Sequence, residues 1–470
     1  MHFPAEPVEF AGAAPSDRAY DTDGDGTADF FLYANADGRY DRIGYDHTGD
    51  GAADEIIDLD ALPAKQCRHV LIVVDGFAYD AVRRHFEDGG LRLFHRPSRA
   101  IAPYPVMTDM CMEDMLGYIP CPAFEAKYYD REAGRIVGGS MAYLQGRNEP
   151  YNELLDYRAG LLMVPFLYIY PQAVFGKELN DCKKAFDREG QRPEFLTYFS
   201  STAGMSTALG EAGQHESLRG LERLMLQILA ETRGLVKFTL ASDHGHQYEP
   251  LTRIDFETVL EAKGWRRTDR LGRPRDFALI EFGLTTYASF STNERVQLAG
   301  DLVSIDGVEL ASYAEGEAVV VLAPGGERAV IRQRDNRYAY EPTAGDPLGL
   351  GAILAKLTPD ADSFYDADEL LAATVEHDWP APLQRLWRAH FALVEHVPDV
   401  IVSLRGDRCV GTKWYLSFVR GESTHGSLAR LSSTAFVMST AGPLPRFMRS
   451  SDVPRHMAEL LDVPVWPLRK

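Results

Sequence analysis

Several things are scarce in this sequence, and each scarcity removes a class of function. Cysteine occurs five times, at positions 67, 111, 121, 182 and 409, with no Cys-x-x-Cys spacing. An odd and scattered count argues against a disulfide framework and for reduced, buried thiols. No apolar run approaches the roughly 20 residues that a membrane-spanning helix needs; the segment Gly160–Tyr170 is apolar but too short and reads as a core element. The opening residues Met1-His2-Phe3-Pro4-Ala5-Glu6 carry neither a basic n-region nor an apolar h-region. A cytoplasmic location is therefore favoured, with a secreted or periplasmic one left open if the N-terminus were processed or truncated. No basic patch offers a footprint for nucleic acid.

Charge is present but unevenly spread. The net charge is −20 over 470 residues, and residues 1–60 alone carry fifteen Asp and Glu against three Arg. The remainder has the composition of an ordinary globular protein, long enough for a large core and more than one domain. The acidic segment is repetitive: Asp21-x-Asp23-x-Asp25-Gly26-x-x-Asp29, then Asn35-x-Asp37-Gly38-x-x-Asp41, then Asp46-x-Thr48-x-Asp50-Gly51-x-x-Asp54. Short runs such as Phe30–Tyr33 and Ile43–Tyr45 lie between the copies, which predicts short strands joined by Asp-Gly turns. Alternating carboxylates around a glycine are hard oxygen donors suited to calcium. Asp21, Asp23, Asp25 and Asp29 of the first copy and Asp46, Asp50 and Asp54 of the third are the candidate ligands. The pattern lacks the closing Glu and flanking helices of an EF-hand, and metal-free acidic turns capping hairpins are the alternative.

From Arg68 the texture changes. His69–Val74 is a continuous β-branched run ending in Asp75-Gly76, as expected of a parallel strand covered on both faces. Glu194–Phe199, Leu235–Leu240, Asp399–Leu404 and Ser433–Met438 are further buried-strand candidates, with helical patterns at Ala78–Phe86 and Glu216–Thr232. This alternation predicts an α/β fold with a mostly parallel sheet sandwiched by helices. Between 285 and 347, short strand-like pieces at Val303–Val308, Ala318–Leu322 and Ala329–Gln333 are separated by turn signals and predict a small β insertion. Residues 361–397 read as helical again. The expected domains are an acidic repeat at 1–66, an α/β catalytic domain at 67–284 and 348–470, and the insertion at 285–347.

Four segments carry chemistry. Asp75 ends the first buried strand, where a helix N-cap is the competing role. Thr108 follows Tyr104-Pro105-Val106-Met107 and is expected to begin a helix through Met115. A hydroxyl at a helix N-terminus beside a divalent cation can attack phosphorus; a cap, with Asp109 helping, is the alternative. Asp243-His244-Gly245-His246 follows another buried strand, where ligands bind in open α/β sheets. Asp and His donors suit zinc or a similar ion. The fourth segment is Glu422-Ser423-Thr424-His425-Gly426-Ser427, a polar loop before a buried strand. Lys413 and Arg420, near that loop, are candidates for contacts to substrate.

In this order the four segments resemble the alkaline-phosphatase superfamily, and within it the type I phosphodiesterases and nucleotide pyrophosphatases. The resemblance covers roughly 68–280 and 395–466, and the stretch Asp452–Val463 is similar to the family's terminal helix. It implies that Asp75 binds a metal, that Thr108 is the nucleophile, that Asp243 and His244 are two further ligands, and that His425 is another, with His246 a weaker candidate. Zinc is the implied ion, with manganese an alternative. The implied activity is hydrolysis of a small phosphorylated substrate, a phosphodiester or nucleotide pyrophosphate, through a phospho-threonine at Thr108. Phosphoryl transfer needs charge stabilisation and an in-line nucleophile, and two metals about 4 Å apart can clamp both oxygens.

The sequence departs from the pattern at one place. Where the family has Asp-x-x-x-His after a strand, this chain reads Ser200-Ser201-Thr202-Ala203-Gly204-Met205-Ser206-Thr207. The Asp is replaced by Thr202 or Ala203 and the His by Ser206 or Thr207, so a first metal site would lose two ligands. Glu211, His215 and His246 are the candidate replacements. The site of Asp75, Thr108, Asp243 and His244 is complete. Sulfatase is disfavoured because neither Cys111 nor Cys121 lies in a Cys-x-Pro-x-Arg context, and the lid domain of a phosphomutase is not evident. The alternative from another class is a catalytically impaired metal-binding scaffold that recognises a phosphorylated ligand or a protein partner.

Overall fold

The computed structural model describes residues 3–117, 119–146, 148–160, 163–190, 192–411 and 424–468. Its centre is a seven-stranded sheet. In spatial order the strands are Phe447–Arg449, Ser98–Ile101, Thr434–Ser439, Val236–Ser242, Arg68–Val74, Glu194–Phe199 and Tyr157–Arg158. Thr434–Ser439 runs antiparallel to both its neighbours, and the other four pairings are parallel. The sheet is therefore mostly parallel, as predicted.

The period of two in Arg68–Val74 explains the layers. Val70, Ile72 and Val74 enter one core with Leu218, Leu221, Leu224 and Phe175 of the helices Ser201–Glu231 and Pro171–Arg188. Leu71 and Val73 enter another with Met112 and Met115 of Thr108–Leu116 and Met457 and Leu461 of Val453–Leu461. His69–Val74 are all buried because both faces are covered, which is why the run from Val70 is apolar without alternation. The helix predicted at Glu216–Thr232 begins fifteen residues earlier, at Ser201, and is broken by the non-helical Gly210. Its first half is rich in Ser, Thr, Ala and Gly and has no apolar stripe to read.

The acidic segment folds as a four-stranded antiparallel meander, Arg18–Tyr20, Phe30–Ala34, Tyr40–Tyr45 and Glu55–Asp58. It is docked on the body: Phe30, Leu32 and Ile43 share the core of Val70 and Leu229. The Tyr45 hydroxyl donates to the Ala230 carbonyl at 2.9 Å, and Lys237 Nζ donates to the Leu59 carbonyl at 2.6 Å.

A second sheet of nine strands is larger than the insertion expected from sequence. It runs in chain from Arg266–Arg267 to Tyr365–Asp366 and takes Val400–Leu404 between Tyr287–Thr292 and Val308–Glu315. That strand thus belongs here and not to the main sheet, since it pairs antiparallel with both neighbours. The piece expected as a strand at Val303–Val308 is instead the turn after the helix Arg295–Leu302, and the strand starts only at Val308. The helix Pro382–Phe391 lies on this sheet through Leu383, Leu386 and Ala389. All five cysteines are free and buried. Among the described residues no helix is long and apolar enough to cross a membrane.

Candidate active site

The site lies at the carboxyl ends of two adjacent parallel strands. Arg68–Val74 delivers Asp75, and Val236–Ser242 delivers Asp243 and His244. Asp75 does not serve as a helix cap: the next helix, Tyr79–Glu87, starts after Ala78, which makes no side-chain cap bond. Thr108 opens the helix Thr108–Leu116, whose N-cap is Met107, again without a side-chain cap. Its hydroxyl instead faces His244, with Oγ1 3.4 Å from Nε2.

Ligand atoms of Asp75, Asp243 and His244 lie within 4.8 Å of one another. The imidazole Nε2 is 3.6 Å from Asp75 Oδ1 and 3.4 Å from Asp243 Oδ2. His244 Nδ1 lies 2.8 Å from the Gly245 carbonyl oxygen, which only accepts, so Nδ1 carries the proton and Nε2 presents a lone pair. Burial lowers the His244 pKa to about 4, which keeps the ring neutral. The two carboxylate oxygens nearest Nε2, Asp75 Oδ1 and Asp243 Oδ2, are buried without a hydrogen bond of ordinary geometry, and the Thr108 hydroxyl is close enough to Asp243 to act against the upward shift of its pKa. Their sister oxygens are satisfied: Asp243 Oδ1 accepts from the Gly76 and His244 amides at 3.0 and 2.8 Å, and Asp75 Oδ2 accepts from the Tyr198 hydroxyl at 2.6 Å.

Burial raises both carboxyls, and Asp243 raises Asp75 further by repulsion. Two acids and a neutral imidazole lone pair turn towards one point; the Thr108 hydroxyl beside them can donate to one of the three at a time, and a cation would satisfy all of them. The donor set of two carboxylates, one imidazole and a hydroxyl suits zinc or manganese.

His425 reaches the same place from the late loop. Its Nδ1 donates to the Val106 carbonyl at 2.7 Å, and its ring stacks on His244 with centroids 3.9 Å apart. Burial and then His244 hold it well below its ordinary pKa. It is not in the three-residue ligand group but adjoins it. His246 is buried against Gly76, whose added Cβ would lie 2.9 Å from Nδ1. Asp109 turns into the protein to Asn148 and to Tyr151, whose hydroxyl is 3.3 Å away, and burial followed by Glu149 raises its pKa. Lys413, Arg420, Glu422 and Ser423 lie outside the described residues.

The missing Asp-x-x-x-His has a structural counterpart. The Thr202 hydroxyl accepts the Asp75 amide at 2.8 Å and donates to the Phe199 carbonyl at 2.6 Å. Gln214, beyond the break at Gly210, donates to the Gly76 carbonyl at 3.0 Å and to Ser206 Oγ at 3.1 Å. These positions hold neutral hydrogen-bonding groups. Of the replacement candidates, Glu211 pairs with Arg84 at the surface and His215 meets His85 at 3.2 Å. Tyr198 and Gln214 escaped the sequence reading because a lone polar residue in an apolar strand or helix reads as core.

In the acidic meander the carboxylates of Asp21, Asp23 and Asp29 come within 4.8 Å; Asp25, Asp46, Asp50 and Asp54 join no such group among the described residues. Asp21 and Asp46 each accept backbone amides of their own turn, from Gly24 and Gly26 and from Gly49 and Gly51.

No protein-family model matches the chain, and no curated protein matches it. Among solved structures it is similar to murine ectonucleotide pyrophosphatase/phosphodiesterase 5, with 10% identity, a TM-score of 0.46 and coverage of 85% of this chain and 96% of that one. The human protein of the same name shows 11% identity, a TM-score of 0.46 and the same coverages. Phosphonoacetate hydrolase from Sinorhizobium meliloti, in complex with phosphonoformate, shows 11% identity, a TM-score of 0.43 and again 85% and 96% coverage.

Proposed function

We propose that this protein is a metal-dependent hydrolase of phosphate esters, with phosphodiesters or nucleotide pyrophosphates preferred, acting through a phospho-threonine at Thr108. One observation carries the reading. Two buried carboxylate oxygens and a neutral imidazole lone pair converge beside a hydroxyl that opens a helix. Asp75, Asp243, His244 and Thr108 would hold a divalent ion, zinc before manganese, with His425 adjoining and His246 a weaker member. Such an ion supplies Lewis-acid stabilisation of phosphoryl oxygens and lowers the pKa of a neighbouring hydroxyl.

The rest follows from the chain itself. The Thr108 oxygen attacks phosphorus in line, the P–O bond to the leaving group breaks, and the threonine then carries the phosphoryl group together with any second ester group the substrate had; water later cleaves the Thr–O–P linkage. The first-turn amides of Thr108–Leu116 face outward from the helix start and favour a phosphoryl group there. Burial of Asp243 and His244 keeps competing water from their ligand atoms.

Thr202 and Ser206, in place of charged ligands, support a single ion in the site. They also motivate the second reading, a scaffold that binds a phosphorylated ligand without turnover. Assay of the purified chain with an aryl phosphodiester and an aryl phosphomonoester, after loading with zinc or manganese, separates the two. Turnover abolished by chelator and by Thr108→Ala is expected. Near-wild-type turnover in Thr108→Ala would overturn the nucleophile assignment, and no turnover with either metal would favour the scaffold.

A further inference from the structure

A helix from outside the main sheet grips the site. Pro382–Phe391 sits on the second sheet, yet two of its arginines, one turn apart, reach the nucleophile segment. Arg388 makes a bidentate pair with Asp114, within the Thr108–Leu116 helix, the longer contact being 3.3 Å. Arg385 is 4% exposed and is bonded to oxygens that are not carboxylates. It donates to the carbonyls of Pro103 at 3.4 Å, Leu428 at 3.1 Å and Pro380 at 3.2 Å, and to Ser433 Oγ at 2.6 Å. Burial lowers its pKa to about 9, with Cys111 and then Tyr104 acting in the opposite direction. A buried cation without a counter-ion is costly. Its planar fork is well matched to several carbonyls held in fixed directions.

Those acceptors belong to the loops that set the site. Pro103 lies five residues before Thr108, and Leu428 lies three after His425. The two loops are cross-bonded: the Val106 amide donates to the Gly426 carbonyl at 3.0 Å, and His425 Nδ1 to the Val106 carbonyl. The same network reaches the third loop. The Gly426 amide donates to Ser432 Oγ at 3.0 Å, and the Gly245 amide, next to His244, donates to the Ser432 carbonyl at 2.9 Å.

We propose that Arg385 is a positioning residue that fixes the Thr108 loop against the loops of His425 and of Asp243-His244. It acts through backbone carbonyls and the Ser433 hydroxyl and touches no ligand atom of the site. The idea rests on the reading of Thr108 as nucleophile only for its effect on turnover.

The test compares Arg385→Lys and Ser433→Ala with wild type. Arg385→Lys keeps a charge but loses the fork. Arg68→Gln serves as the structural control, because Arg68 holds the Phe186 and Glu189 carbonyls at the opposite end of the same strand from Asp75. Arg385→Lys is expected to lower kcat about 10²-fold, the loss typical of a misplacement near 1 Å, with KM close to wild type and a loss of turnover larger than its lowering of Tm explains. Ser433→Ala is expected to lower kcat several-fold. Arg68→Gln is expected to lower Tm and leave kcat unchanged. Hydrogen exchange on the purified chain should quicken in Arg385→Lys at 100–108 and 424–434. Unchanged kcat in Arg385→Lys, or a loss that only follows Tm, would overturn the proposal, as would unchanged exchange in both segments. If wild type itself shows no turnover, the functional reading fails instead, and the exchange measurement alone decides the clamp.

Discussion

Thr108 Oγ1 and His244 Nε2 stand 3.4 Å apart across 136 residues of chain. The threonine is not spent on a cap, since Met107 occupies that position. Thr108→Ser keeps an oxygen at this place and should retain a measurable fraction of turnover. Thr108→Val keeps the shape without the oxygen and should lower kcat by about 10³-fold or more, as loss of a nucleophile does. Acid quenching during turnover, followed by mass analysis, should find one substrate-derived phosphoryl group on the peptide containing Thr108 in wild type, still bearing its second ester group when the substrate is a diester, and none in Thr108→Val.

The number of ions follows from the groups around Gly76. Thr202 and Ser206 are neutral, and Gln214 occupies the Gly76 carbonyl. Elemental analysis of the zinc-loaded chain should find one tightly held ion at this site, lost in Asp243→Asn and in His244→Ala. Asp243→Asn should also raise the Tm of the metal-free chain, because it removes one of two buried carboxyls that repel each other.

The strands that carry the site are legible in sequence because a strand covered on both faces is an apolar run, and its polar terminus then stands out. Asp75 after His69–Val74 and Asp243 after Leu235–Leu240 are found in this way. The apolar run of Val400–Leu404 is equally clear as a strand, but nothing in its composition says which of two sheets it joins. Arg385 is illegible for a related reason. In Pro382–Phe391 it sits among Gln384, Arg388 and His390 and reads as one more polar residue of an amphipathic helix, and only the carbonyls around it reveal a buried guanidinium. The docking of the acidic meander is hidden likewise, since Phe30 and Ile43 could equally have closed a small core of their own.

The raised Asp75 and Asp243 carboxyls make the stability of the metal-free chain depend on pH with a definite sign. A carboxyl whose folded pKa lies above its unfolded value binds more protons in the native state. Its contribution is fully present below the unfolded value, which is 3.8 for aspartate, and is lost as pH rises through the raised folded value. The Tm of the metal-free chain should therefore carry a component that falls as pH rises from 3.8 through the raised folded value, about 7 for Asp243. Zinc should restore it at neutral pH, where a cation replaces the lost protons. Asp243→Asn should flatten the dependence. The check is a series of thermal melts over pH with and without zinc; equal slopes in wild type and Asp243→Asn would show that another group is responsible.

Gly76 joins the two halves of the site, and its backbone leaves no room for a side chain. It has φ +68°, and a Cβ there would lie 2.9 Å from His246 Nδ1 and 3.4 Å from His244 Cε1. Gly76→Ala should therefore act twice. The left-handed backbone alone costs a non-glycine residue about 1–2 kcal/mol, which thermal or denaturant unfolding should register. The contact should also push His246, and with it the loop after Asp243, away from the Asp75 carboxylate. Turnover should fall by more than the loss of stability explains, and zinc affinity should fall with it. Gly245 is a stricter case, since a Cβ would meet the Leu431 carbonyl oxygen at 1.9 Å. Gly245→Ala must move backbone against backbone and should lower Tm more than Gly76→Ala does. A Gly76→Ala chain with wild-type zinc affinity and wild-type kcat would mean that His244 and His246 tolerate displacement, and that the ligand group is less rigid than its packing indicates.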